Sequence, residues 1–430
     1  MIPDLEKKSI QEIKTFQEAE LAKVLAYLQE KSPFYSKLFK KENIDISSIK
    51  TIEDLVKIPT SSKDDLQLYN DDFICVDKTD IVDYVTTSGT LGDPVTFALT
   101  DKDLDRLAYN EAISFACAGG TNKDLYQLTT TIDRRFMAGL AYFLGVRKLG
   151  AGIIRVGSGI PELQWDTILK MKPNILIAVP SFIIKLIEFA EKNNIDYRSS
   201  TIKSAVCIGE SLRDQNFELN TLGKKIKEKW NIELYSTYAS TEMSTAFTEC
   251  EYQVGGHQHP ELIITEFLDD NDQPVKAGEA GELTITTLGV EGMPLLRFKT
   301  GDIVKPFYEA CKCGRNTMRL GPIIGRKKQM VKYKGTTLYP PVIYNLLNDF
   351  DEIKNYVVEI STNEYNMDEI LFKIGTKEPS ERLEKKIKDH FRAKLRVAPQ
   401  ILFLPIDEIN LLQFPKMSRK PIIFIDNRNL

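Results

Sequence analysis

Small hydroxyl residues and glycines gather in YVTTSGTLGDPVTF, Tyr84 to Phe97, where Thr86, Thr87, Ser88 and Thr90 surround Gly89 and Gly92. Gripping a phosphate takes converging backbone N–H groups, glycines that allow close approach, and hydroxyls that donate. The segment has the glycines and the hydroxyls. It lacks the Gly-Lys-Ser/Thr ending of a Walker loop and joins two strand-like runs, so it reads as a phosphate loop of another kind. A Ser/Thr-rich hairpin turn is the plain alternative. A second run, YSTYASTEM, Tyr235 to Met243, ends a strand with an aromatic ring, hydroxyls and one carboxylate. Tyr238 can stack on a base, Thr241 can bond a phosphate, and Glu242 can hold Mg²⁺. In a third, LLRFKTGDIV, Leu295 to Val304, Asp302 follows a Thr-Gly turn and can accept from two ribose hydroxyls. Each of these two, taken alone, also reads as an ordinary polar loop or turn.

Sulfur and imidazole form a fourth group. Cys311 and Cys313 make the run CKCG, and Cys250 lies near His257 and His259. Three thiolates and one imidazole are a common tetrahedral Zn²⁺ set. The expectation is a closed structural zinc on Cys250, His257, Cys311 and Cys313, with His257 preferred to His259, clipping two parts of a β-rich region. Unliganded cysteines are the alternative. Cys75, Cys117 and Cys207 sit in apolar runs and read as core.

These residues need a frame. Residues 5–40 read as amphipathic helices with a stripe of Leu21, Val24, Leu25 and Leu28. From about 80 to 245, strand-like and helix-like runs alternate. Strands are expected at Leu125–Thr131, Ala151–Val156, Ile175–Val179, Ser204–Ile208 and Ile232–Tyr235. Helices are expected at Gly139–Leu149, Leu163–Met171, after a Ser181 cap, and in a lysine-rich stretch before Ile232. This alternation predicts a layered α/β domain with buried, largely parallel strands. From about 245 to 326 short strands and turn clusters suggest a β-rich part. From about 330 onward the order strand, helix, strand, strand, helix, strand resembles a split βαβ unit. The division is expected at 326/327, with Gly325–Lys328 as hinge, giving a large N-terminal domain and a small mobile α+β C-terminal domain of 327–430. Phe136, Ala138, Tyr142 and Phe143 are candidate pocket-lining residues, though each also reads as core.

Composition narrows the class. The chain has 430 residues, 42% hydrophobic and 27% charged, with net charge −4, an ordinary globular balance without a basic footprint for nucleic acid. No apolar run is long enough for a membrane span. Six cysteines in so long a chain argue against a disulfide framework and fit a reducing cytoplasm.

The three chemistry-bearing runs, followed by GRKKQM at Gly325 and QFPKMSRKPIIFID at Gln413, resemble in content and order the adenylate-forming superfamily of acyl-CoA synthetases, luciferases and adenylation domains. The short length and the tail PKMSRKPIIFIDNR are similar to the phenylacetate–CoA ligase branch. The resemblance covers about residues 20–430. It implies an ATP-dependent ligase that joins a carboxylate to AMP, releases pyrophosphate, and then transfers the acyl group to CoA. It implies that Ser88, Gly89, Thr90 and Gly92 hold ATP phosphates and that Gly209, Glu210 and Ser211 flank adenine. Tyr238, Ala239 and Ser240 would border the nucleotide, Thr241 would contact its phosphate, and Glu242 would bind Mg²⁺. Asp302 would take the ribose, Arg326 would assist, Lys334 and Gly335 would approach CoA, and Lys420 would bridge acid and phosphate, with Lys416 as competitor. The partners implied are a small aryl carboxylic acid and CoA, and a homodimer by analogy. Departures stand at Leu91, Asp93, Ala239, Lys328, Met417 and Arg419. Two other readings are an adenylation enzyme loading a carrier protein and a nucleotide-binding protein without ligase activity.

Overall fold

The computed structural model describes residues 2–87, 94–334, 336–364, 367–415 and 421–428. They divide into two compact units, Met1–Ile323 and Ile324–Leu430.

The first unit opens with α1 (Ile10–Lys31), where Ser9 and Glu12 form a capping box. Its Leu21, Leu25 and Leu28 are buried, as the stripe requires. Then come α2 (Pro33–Lys41), begun by Pro33 and capped by Ser32, and the short α3 (Lys63–Leu68). The antiparallel strands β1 (Ile81–Thr86) and β2 (Thr96–Thr100) flank the glycine-rich loop. Strands and helices then alternate as expected: α4 (Asp101–Cys117), β3 (Leu125–Leu128), α5 (Met137–Leu149), β4 (Gly152–Arg155), α6 (Pro161–Met171), β5 (Ile175–Ala178), α7 (Pro180–Lys192), β6 (Ser204–Cys207), α8 (Thr221–Lys229) and β7 (Glu233–Ser240). All four residues of β5 are buried, which a strand covered on both faces demands. Helices α4 and α5 pack closely because Gly145 has no Cβ; one built there would lie 2.2 Å from the Glu111 Cβ.

Strands β4, β3, β5, β6 and β7 pair in parallel. The sheet continues antiparallel into β8 (Thr245–Glu249) and β9 (Gly256–His257). A separate antiparallel sheet holds β10 (Ile263–Leu268), β11 (Gly281–Thr287) and β12 (Phe298–Val304). Finally β13 (Pro306–Phe307) and β14 (Arg319–Leu320) complete the rim of the large sheet beside β9. The stretch read as one β-rich part is thus shared between two sheets. Strand periodicity marks strands but says nothing of which partner they find. Ser181 does not cap α7. Pro180 takes the first helical position, and the Glu210 carboxylate accepts from the Ser181 amide and hydroxyl at 2.8 and 2.7 Å.

The second unit begins with the short β15 (Gly325–Arg326). Its first long run forms a hairpin of β16 (Val331–Tyr333) and β17 (Thr336–Leu338), followed by α9 (Pro340–Asn348). Strands β18 (Ile353–Thr362) and β19 (Asp368–Thr376) pair antiparallel. Helix α10 (Glu381–Leu395) leads to β20 (Gln400–Leu404), parallel to β19, then α11 (Ile406–Gln413) and β21 (Phe424–Asp426), parallel to β18. A split βαβ unit would place β16 in the sheet. Instead β16 turns back on β17 after three residues, and β21 takes the place beside β18. Among the described residues no helix is long and apolar enough to cross a membrane.

Candidate active site

The C-terminal ends of parallel strands are where open α/β sheets place their ligand crevice. Gly209, Glu210 and Ser211 follow β6. Gly209 turns with φ +75°, which a side chain would resist. Glu210 is engaged by Ser181, and the Ser211 hydroxyl donates to the Arg213 carbonyl at 3.1 Å. Cys207 pairs with Ser236 in the β6–β7 register, so two residues further on stand Gly209 and Tyr238. The half-buried Tyr238 donates its hydroxyl to Asp302 Oδ2 at 2.7 Å. This bond links β7 of the large sheet to β12 of the smaller one, and it joins two of the runs picked out in the sequence. Ala239 is exposed. The Ser240 hydroxyl accepts from the Met243 amide at 3.3 Å, shaping the turn that carries Thr241 and Glu242. Glu242 is half-buried and makes no hydrogen bond or ion pair among the described residues.

Two buried arginines brace this edge from behind, and no local pattern marks either. Arg106 of α4 donates to the carbonyls of Ser244, Leu262 and Leu288 at 2.6, 2.6 and 2.7 Å, and to the Thr245 hydroxyl at 3.1 Å. Burial lowers its pKa to about 10, against the opposing pull of Asp103 and Glu261. Arg213 pairs with Glu249 at 2.7 Å, and Glu249 also accepts from the Ser236 amide of β7 at 2.8 Å. Burial pushes the Glu249 carboxyl up.

The stem of the glycine-rich loop is closed by Thr87, whose amide donates to the Val95 carbonyl and whose hydroxyl accepts from the Val95 amide, both at 3.0 Å. Ser88, Gly89, Thr90 and Gly92 lie outside the described residues. The Thr86 amide donates to the Arg135 carbonyl at 3.0 Å. Arg134 and Arg135 are consecutive left-handed residues, φ +60° and +57°. Such backbone is strained by about 1–2 kcal/mol per residue and gathers at functional sites. Of the expected pocket residues, Phe136 and Phe143 are half-buried, while Tyr142 belongs to the core beside Phe115.

In the second unit Arg326 is exposed. Lys334 helps to line a cavity of about 440 Å³, together with Tyr333, Lys388, Arg392, Arg396 and Gln400. Lys388, Arg392 and Arg396 recur every four residues along and just past α10, a one-faced basic spacing visible in the sequence. Arg392 is paired with Asp389 at 2.7 Å. Gly335, Lys416 and Lys420 lie outside the described residues.

Elsewhere in the first unit Cys250, His257, Cys311 and Cys313 converge, their ligand atoms all within 4.8 Å of one another. His259 turns away, its Nδ1 to Glu6 Oε1 at 2.6 Å and its Nε2 to the Ser114 hydroxyl at 3.2 Å.

A family model for AMP-binding enzymes matches residues 5–292. The chain belongs to that family. Its relatives include the phenylacetate-coenzyme A ligase of Thermus thermophilus, 29% identical over 88% of this chain and 84% of the relative. The phenylacetate-coenzyme A ligase of Escherichia coli is 25% identical over 99% and 97%. Among solved structures, a 2-hydroxyisobutyryl-CoA ligase in its postadenylation state superposes with a TM-score of 0.85 at 23% identity, covering 99% of this chain and 92% of that one. A benzoate CoA ligase from Burkholderia xenovorans gives 0.59 at 17% identity, covering 81% and 68%. This AMP-binding enzyme therefore has the fold of adenylate-forming CoA ligases and is phenylacetate–CoA ligase-like in sequence.

Proposed function

We propose that this AMP-binding enzyme is an ATP-dependent acid–CoA ligase acting on an aryl carboxylic acid of the phenylacetate type. The observation that carries the reading is the Tyr238–Asp302 bond, which gathers the expected base-stacking and ribose-binding residues at the strand ends. A carboxylate oxygen attacks the α-phosphorus, the bond to pyrophosphate breaks, and acyl-adenylate forms. The CoA thiol sulfur then attacks the acyl carbon, and AMP leaves. The first step needs no base, because a carboxylate is already a nucleophile. Positioning and charge stabilisation suffice. In this reading Ser88, Gly89, Thr90 and Gly92 hold phosphates, and Gly209, Glu210 and Ser211 flank adenine with Tyr238. Asp302 and Arg326 hold the ribose, Thr241 the AMP phosphate, and Lys420 the forming acid–phosphate bond. Glu242 suits Mg²⁺, since its half-buried carboxylate has no protein partner among the described residues. Bound there, Mg²⁺ would neutralise charge on the phosphate oxygens. In this reading Lys420 serves adenylation and not thioester formation.

Four cations in one cavity support CoA as acceptor, because its nucleotide end carries several phosphates. Pyrophosphate release is the test, measured over arylacetates, benzoates and short branched hydroxy acids, followed by thioester analysis with CoA. Arylacetate-dependent release with thioester formation is expected. Preference for a hydroxy acid would overturn the aryl assignment. Release without thioester would favour a carrier-protein acceptor, and no release at all would remove the ligase reading.

A further inference from the structure

The nucleotide reading leaves the sulfur cluster unexplained. We propose that Cys250, His257, Cys311 and Cys313 bind one Zn²⁺ as a closed structural site. With Zn–S near 2.3 Å and Zn–N near 2.0–2.1 Å, a regular tetrahedron has S···S edges of about 3.8 Å and S···N edges of about 3.6 Å. The Cys250 and Cys311 sulfurs lie 3.7 Å apart, and Cys313 Sγ lies 3.5 Å from His257 Nε2. A disulfide would need about 2.05 Å. The imidazole is aimed by a second bond, His257 Nδ1 to the Thr317 hydroxyl at 3.1 Å, which turns Nε2 toward the sulfurs.

The surroundings match the charge of such a site. Three thiolates and Zn²⁺ carry one net negative charge. Arg315 donates to Cys313 Sγ at 3.4 Å and, through Nε, to Glu6 Oε2 at 2.7 Å. Glu6 in turn is held by His259 at 2.6 Å. Cys250, His257, His259 and Glu6 are all fully buried at 0% exposure, where an unpartnered charge would be costly. The fold also explains the need. Strands β9 and β14 pair over only two residues each, too short to hold the rim of the sheet by ladder bonds. An ion held by β9, by the residue after β8 and by the β13–β14 loop replaces the missing strand length. The Asn316 amide donates to the Glu6 carbonyl at 2.8 Å, so the same staple anchors the N-terminal segment.

The test uses full-length protein purified without a histidine tag. Elemental analysis is expected to find about one zinc per chain. Cobalt-exchanged protein is expected to show intense tetrahedral and thiolate-to-cobalt absorption. Cys313→Ser is expected to lose the metal, whereas Cys117→Ala and His259→Gln, which alter neighbours and not ligands, keep it. A mercurial thiol reagent should release zinc from the native enzyme in step with modified cysteines. Folded wild-type protein that holds no zinc and gives no cobalt bands would overturn the proposal, even if the cysteine variants fail to fold.

Discussion

The strand-end site and the sulfur cluster sit in the same unit and are built on opposite rules. At the strand ends, Glu242 has no protein partner among the described residues, Ala239 is exposed, and Tyr238 is half-buried. The order there lies one layer back, in Arg106 and Arg213. In the sulfur cluster the polar atoms turn inward, and ligands, Arg315, Glu6 and His259 form one buried chain. A site that takes substrates in and out needs open groups on a rigid backing. A staple needs neither openness nor access. Helix α4 serves both, with Arg106 behind the site, Ser114 on His259 and Cys117 packed against Cys250 and Cys311.

The sharpest way to break this contrast is to attack the backing. Arg213→Met leaves Glu249 buried without its cation, which is expected to destabilise the fold by about 3–5 kcal/mol. Arg213→Met with Glu249→Leu should recover most of that loss in urea unfolding. If the single variant unfolds like wild type, the backing is not rigid and the contrast fails. Glu242→Ala should do the reverse. Adenylate formation is expected to fall about 10²–10³-fold, with the melting temperature nearly unchanged. Lys420→Ala is expected to abolish pyrophosphate release yet spare thioester formation from supplied acyl-adenylate. Equal loss of both half-reactions would remove that role.

The contrast also explains what the sequence disclosed. Tyr238, Glu242 and Asp302 are residue types that announce chemistry and stand out by local pattern and order, and the Tyr238–Asp302 bond brings two of those runs together. The cluster was legible because thiols are rare and only three histidines exist. The alternation of β3 to β7 with their helices was readable from apolar runs punctuated by residues such as Gly150 and Pro173. The backing was not. Arg106 and Arg213 sit among many charged residues, and nothing local separates a buried arginine from a solvated one. Strand β21 was missed because its place beside β18 depends on a long-range pairing. The basic face of α10 was present as a four-residue spacing, yet charges on a helix read first as a solvated surface.

Glu111, also on α4, gives a smaller and pH-dependent effect. Burial raises its carboxyl from 4.5 to about 8. Between these values the unfolded chain releases the proton and the native one keeps it. Stability should therefore fall as pH rises through that window, by up to about 1.4 kcal/mol per pH unit, and level off above about 8. Thermal unfolding of Glu111→Gln at pH 6 and pH 8 should lose this component. An identical slope in the variant would show that the carboxyl is already ionised in the native protein.

The smallest change probes the joint itself. Tyr238→Phe keeps the ring and removes the hydroxyl that donates to Asp302 at 2.7 Å. If the ring face is what meets the base, stacking survives. Asp302 loses one positioning bond, worth roughly 1 kcal/mol, so KM for ATP should rise about five-fold while the rate of adenylation holds. Tyr238→Ala should raise KM further, because the face is gone as well. The split between KM and rate is what separates positioning from chemistry. A drop in rate with unchanged KM in Tyr238→Phe would mean that the hydroxyl acts on the reacting atoms, and not only on the Asp302 carboxylate that it holds in place.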